Sequence, residues 1–156
     1  MMPWYDRIAL VFYIALGAAI IYMILNPPYA LGRDIPRPIV IDLDYGGSLD
    51  DHLRWFERVR DAGVPVRVEG VCISACTFVL MLPHDQVCIT PKASLGFHLV
   101  STNGIPDPSM TWAFARRYYP QPIQDWLAKQ PPLKLLPITF MDAPTIVGLR
   151  VFPYCA

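Results

Sequence analysis

Val64 to Pro83 reads VPVRVEGVCISACTFVLMLP, and the fold turns on how its two halves are read. Val64 to Ile73 is rich in β-branched residues and reads as a strand, interrupted once by Gly70. Ala75 to Leu82 (ACTFVLML) is short and apolar, and Pro83 ends it. Periodicity alone allows either strand or helix there. Its place directly after a strand and before a proline favours a buried helix. Ser74 then sits at a strand-to-helix junction.

Upstream, Pro38 to Leu43 (PIVIDL) reads as a buried strand and Tyr45-Gly46-Gly47-Ser48 as a turn. Ser48 to Ala62 is a helix, because Leu49, Leu53, Phe56 and Val59 recur on one face. Ser48 can cap it, Asp50 and Asp51 favour its first turn, and Gly63 follows its end. Downstream, Gln86–Thr90 and Ser94–Leu99 read as short strands. Ser109–Tyr118 and Ile123–Lys129 read as helices, Ala143–Gly148 as a helical turn, and Leu149–Phe152 as a last strand. Alternating strands and helices predict an α/β domain with a mainly parallel sheet joined by βαβ crossovers. Sites in such sheets gather at the carboxyl ends of strands. Gly46-Gly47 and Ser74 each follow a strand and precede a helix, so they are expected side by side.

The domain is expected over 38–156. Before it, residues 1–7 form a short tail and residues 8–25 an uncharged apolar run, IALVFYIALGAAIIYMIL. At ~1.5 Å per residue that run spans ~27 Å, close to the hydrocarbon thickness of a bilayer. It predicts a single transmembrane helix, with Trp4, Tyr5, Tyr22 and Tyr29 suited to the interfaces. Asn26-Pro27-Pro28 stops it, and residues 26–37 form a Pro-rich linker. Positive charge near the span does not fix its orientation. Cysteine usage favours the domain outside the cytoplasm, on the periplasmic or extracytoplasmic side.

Lys+Arg and Asp+Glu both number 13. A neutral chain without a basic face argues against nucleic acid as a partner. The 17 prolines fall mostly between elements and act as punctuation.

Acyl transfer needs a nucleophile, a base and donors for the developing oxyanion. Ser74 at its junction faces the positive end of the following helix, and the Ala75 amide is a natural oxyanion donor. Gly46-Gly47 brings backbone close to a substrate because no Cβ obstructs it. His98 ends the strand Leu95-Gly96-Phe97-His98.

The order Tyr45-Gly46-Gly47-Ser48, a helix, Gly70-x-x-x-Ser74-Ala75, then Gly96-Phe97-His98 resembles the ClpP-like serine peptidases of the ClpP/crotonase superfamily. It is most similar to a membrane-associated bacterial branch with a C-x-S-A-C segment. The resemblance covers Pro38 to about Leu99 and returns faintly from Asp142 to Val151. It implies Ser74 as nucleophile and His98 as general base, with Gly47 and Ala75 amides as oxyanion donors. The family's third member, an aspartate, falls near Ile138 here. Asp142 is the only acid nearby and is carried as the candidate that orients His98. The implied activity is hydrolysis of a peptide or protein substrate, without cofactor or metal. Relatives form rings, but the resemblance does not reach the segments that make those contacts, so a homo-oligomer stays open.

Other readings compete. A catalytically inactive ClpP-like module would offer the same groove to a peptide. A crotonase-like acyl-CoA enzyme would share the fold without needing a Ser/His pair. Cys72, Cys76, Cys88 and His98 could be written as a zinc set, but Cys72 and Cys76 flank a junction that directs them differently. A disulfide among Cys72, Cys76 and Cys88 is the stronger expectation. Cys76 as nucleophile and Lys92 as the base of a Ser-Lys dyad are disfavoured by position. Trp112, Phe114, Tyr118 and Tyr119 read as packing or a contact surface.

Overall fold

The computed structural model of the protein describes residues 38–156. The expected membrane helix over 8–25 and linker over 26–37 lie outside the described residues. Among the described residues no helix is long and apolar enough to cross a membrane.

The fold is mixed α/β with a mainly parallel sheet. Strand β1 (Ile39–Asp44) leads through helix α1 (Leu49–Asp61) to β2 (Val66–Ile73), and β1 and β2 pair in parallel. Their register shifts between Ile41 and Leu43. Gly70 lies opposite this irregularity, where a Cβ would stand 2.1 Å from the Asp42 carbonyl oxygen. A close approach of two backbones is thus what the glycine in the strand is for. Helix α1 starts on the Ser48 hydroxyl, which accepts from the Asp51 amide at 3.3 Å. It buries Phe56 and Val59 and carries Arg58 and Arg60 in its last turn, as the helix dipole favours.

After β2 the chain enters a 3₁₀ helix over Ser74–Met81 with Ala75 through Leu80 buried. Apolar from Ala75 to Met81 but for Thr77, it sits inside the domain, where α1 packs on it. The far edge of β2 is shared. β3 (Val87–Ile89) pairs with its first half and β4 (Ser94–Phe97) with its second, both parallel. A hairpin of β5 (Ser101–Thr102) and β6 (Ile105–Pro106) follows, then α2 (Pro108–Tyr118) and α3 (Gln121–Ala128). Strand β7 (Thr139–Asp142) closes the sheet antiparallel to β4, and α4 (Ala143–Gly148) follows it. The core joins sheet residues Val68, Ile89, Leu95 and Met141 to Phe56, Phe78, Ile123 and Phe152. Burying each large side chain contributes about 1.5–3 kcal/mol.

The expected buried helix is present, as a 3₁₀ helix. Two expectations change. The β5–β6 hairpin and β7 are additions, and β7 is the sheet's one antiparallel strand among the described residues. Leu149–Phe152 is not a strand, because Leu149 caps α4 and Arg150 turns the chain at φ +55°. Only a bridge between Ile89 and Tyr154 forms near there.

Two disulfides are present. Cys72 pairs with Cys76, and Cys88 pairs with Cys155, which ties β3 to the C-terminal segment. Cys155 was not among the residues expected to bond. Its backbone amide donates to the Ile89 carbonyl at 2.9 Å, which brings the thiol beside Cys88. With all four thiols oxidised, the zinc reading loses its ligands.

Candidate active site

Ser74 follows the last residue of β2 and takes φ +60°. Such a backbone costs a non-glycine residue about 1–3 kcal/mol and persists only where its surroundings over-determine it. Three contacts do so. The Cys72–Cys76 disulfide brackets the turn, with Cα atoms 5.3 Å apart. The Thr77 hydroxyl donates to the Ser74 carbonyl at 2.5 Å. Gly46, at φ +78°, lies against the other side, where a Cβ would stand 2.7 Å from the Ala75 nitrogen, the Ile73 oxygen and the Ser74 Cβ. Ser74 is therefore not a helix cap. The residue at the cap position is Ile73, in extended conformation and without a side-chain bond.

The Gly46-Gly47 loop is held from its outer side. Asp44 accepts the Gly46 amide at 2.7 Å, and its other oxygen lies 3.4 Å from His52 Nε2. His52 Nδ1 meets the Ser48 carbonyl at 3.1 Å. With the Gly46 N–H committed to Asp44, the Gly47 N–H is the loop donor left over. Neither Gly47 N–H nor Ala75 N–H is bonded to a loop carbonyl among the described residues. The Ala75 amide stands in the first turn of a helix, where an N–H has no intrahelical partner.

His98 follows β4. Its Nδ1 lies 2.7 Å from the Leu99 carbonyl oxygen. A carbonyl can only accept, so Nδ1 carries the proton and the neutral ring keeps Nε2 as its acceptor. That is the tautomer a general base at Nε2 requires. No hydrogen bond joins Ser74 to His98 in this structure, whose one bond from the His98 ring among the described residues is to Leu99.

Ser74, Ala75, Gly47 and His98 line one cavity of about 110 Å³. Its remaining wall is largely apolar, with Phe78, Trp112, Phe114, Leu127 and Leu133. The aromatic residues of α2 and its C-cap serve as packing there: Phe114 and Tyr118 meet Phe78, and Tyr119 meets Phe97.

Asp142 is not part of this cluster. In the β4–β7 ladder it stands opposite Ser94, while Phe97 stands opposite Thr139. Four residues of strand separate Ser94 from His98, a distance of roughly 13 Å. Asp142 instead caps α4, accepting the Thr145 amide at 3.0 Å. Its hydrogen bonds from Thr145, side chain and then backbone, hold its carboxyl below the usual carboxylate range. The position facing His98 continues to Ile138, so a carbonyl rather than a carboxylate orients the ring.

Sequence reasoning gave Asp44 and Thr77 no role and read Tyr119 only as packing or a contact surface. Asp44 had a local signal, since Asp before Tyr-Gly-Gly fits a side chain closing its own turn. Thr77 and Tyr119 had none, because 42 positions separate them.

The chain matches no protein-family model and no curated protein.

Proposed function

We propose that the chain is a membrane-anchored serine hydrolase of the ClpP-like type that cleaves peptide or protein substrates. Ser74 is the nucleophile and His98 the base, then the acid. The Gly47 and Ala75 amides receive the oxyanion.

One observation carries this reading: Ser74 is held at φ +60° on a strand-to-helix turn and shares its cavity with a histidine of the required tautomer. A serine that only capped a helix would need no strained backbone. Ser74 Oγ would attack the scissile carbonyl as its proton passes to His98 Nε2. Collapse of the tetrahedral intermediate would return that proton to the leaving amine, and water would repeat the cycle on the acyl-enzyme. The apolar cavity wall suits an uncharged side chain beside the scissile bond. The anchor over 8–25 and an extracytoplasmic domain belong to the same proposal, and two disulfides support an oxidising compartment.

Among the described residues, the lack of a carboxylate at His98 and of a Ser74–His98 hydrogen bond favours a second reading, an inactive module that binds a peptide in the same groove. Labelling with a fluorophosphonate probe separates the two. Active wild type is labelled, and Ser74→Ala and His98→Ala are not. Folded wild type that takes no label leaves the binding module.

A further inference from the structure

We infer that Thr77 and Tyr119 are positioning residues that aim the Ala75 N–H at the oxyanion. The inference rests on the serine-hydrolase reading above.

The Thr77 hydroxyl touches two oxygens, the Ser74 carbonyl and the Tyr119 hydroxyl, each at 2.5 Å. A carbonyl can only accept, so the single Thr77 proton goes to Ser74 O. The Tyr119 hydroxyl must then donate to Thr77 Oγ1. The chain of donors runs one way, from Tyr119 through Thr77 to Ser74 O. It needs a protonated phenol at its head. Tyr119 is half-buried, and its hydroxyl is held against Thr77 Oγ1. Burial pushes that phenol up to about 12, against the smaller opposite effect of the Thr77 bond. The donor is therefore retained across the physiological range.

The Ser74 carbonyl and the Ala75 N–H belong to one peptide plane and point in opposite directions across it. Fixing the oxygen at one end fixes the aim of the N–H at the other. Thr77 is buried and Tyr119, at the C-cap of α2, comes from a distant part of the chain, so the aim is set by the tertiary fold. An oxyanion donor acts mostly on the transition state. Losing its aim should slow the chemical step and leave probe binding alone.

The test uses the full chain and a fluorophosphonate, with the maximal inactivation rate and the half-saturating probe concentration measured separately. Thr77→Val keeps the shape and removes the hydroxyl, Thr77→Ser restores it, and Tyr119→Phe removes the head of the chain. Thr77→Val and Tyr119→Phe should lower the maximal rate by roughly 10- to 100-fold with little change in half-saturation. Thr77→Ser should recover most of the wild-type rate. Each variant's thermal midpoint is recorded, and if Thr77→Val does not fold, Tyr119→Phe decides. Equal maximal rates in wild type and Tyr119→Phe overturn the positioning role while leaving the hydrolase intact. Folded wild type that takes no label overturns the hydrolase, and this role with it.

Discussion

Gly46 lies so close to Ser74 that a methyl group on its Cα would stand 2.7 Å from the Ser74 Cβ. The first glycine of the pair is therefore a seat for the Ser74 turn, while the second keeps a free amide. Gly46→Ala adds a clash to a positive φ and should destabilise the domain by roughly 2–4 kcal/mol. Gly63→Ala is the control, since Gly63 has φ +63° but nothing within 4 Å of the added methyl. It should cost only about 1 kcal/mol. Urea denaturation of the two variants checks the difference, and equal losses would remove the close approach as a cause.

Ser74 itself carries strain that a glycine would not. Ser74→Gly should be more stable than Ser74→Ala by about 1 kcal/mol, because only the alanine keeps a Cβ at φ +60°. Both variants should lose fluorophosphonate labelling. Thermal midpoints measured side by side give the comparison, and an alanine variant as stable as the glycine variant would mean that the turn relaxes.

The two disulfides should separate stability from labelling. Cys88–Cys155 spans 67 residues and Cys72–Cys76 spans 4. Chain entropy assigns about 4 kcal/mol to the long loop and about 2 kcal/mol to the short one. Replacing Cys88 and Cys155 with serine should therefore lower the denaturation midpoint more. Replacing Cys72 and Cys76 with alanine should slow labelling more, because that bridge brackets Ser74. The reverse ranking of labelling rates would argue against the bracket.

Acid should weaken the domain through its helix caps. Asp107 is held below the usual carboxylate range by the Met110 amide and then the Ser109 hydroxyl. Asp142 is held low by Thr145. A lowered folded-state pKa means that the folded protein binds fewer protons than the unfolded chain. The stabilisation is then complete above the ordinary value and is lost as pH falls through the folded one, from about pH 4 downward. Asn can cap without titrating, so Asp107→Asn with Asp142→Asn should flatten the fall in stability between neutral and acid pH. Denaturation curves at both pH values test this. Because Asp142 does not reach His98, Asp142→Asn alone should keep a labelling rate within about twofold of wild type, where loss of a working triad acid costs orders of magnitude.

The sequence by itself determined the frame. Helix α1 was legible through its cap, its acidic first turn and its apolar face, and the observed Leu49–Asp61 lies within Ser48–Ala62. The first strands and the parallel βαβ frame followed from short β-branched runs alternating with helical ones, because local pattern and burial agree there. The meeting of Gly47, Ser74, Ala75 and His98 around one cavity also followed, since strand ends in a parallel sheet share an edge. Only the tertiary structure decided the rest. Strand β7 is a four-residue run after a proline-rich stretch, and its pairing with β4 is what makes it a strand. That same pairing takes Asp142 away from His98 and gives it to α4. Cys155 finds Cys88, and Tyr119 finds Thr77, across separations that leave no periodic or local trace. Contacts within a turn are written in neighbouring residues, whereas contacts between elements exist only once the chain has paid the entropy of bringing them together.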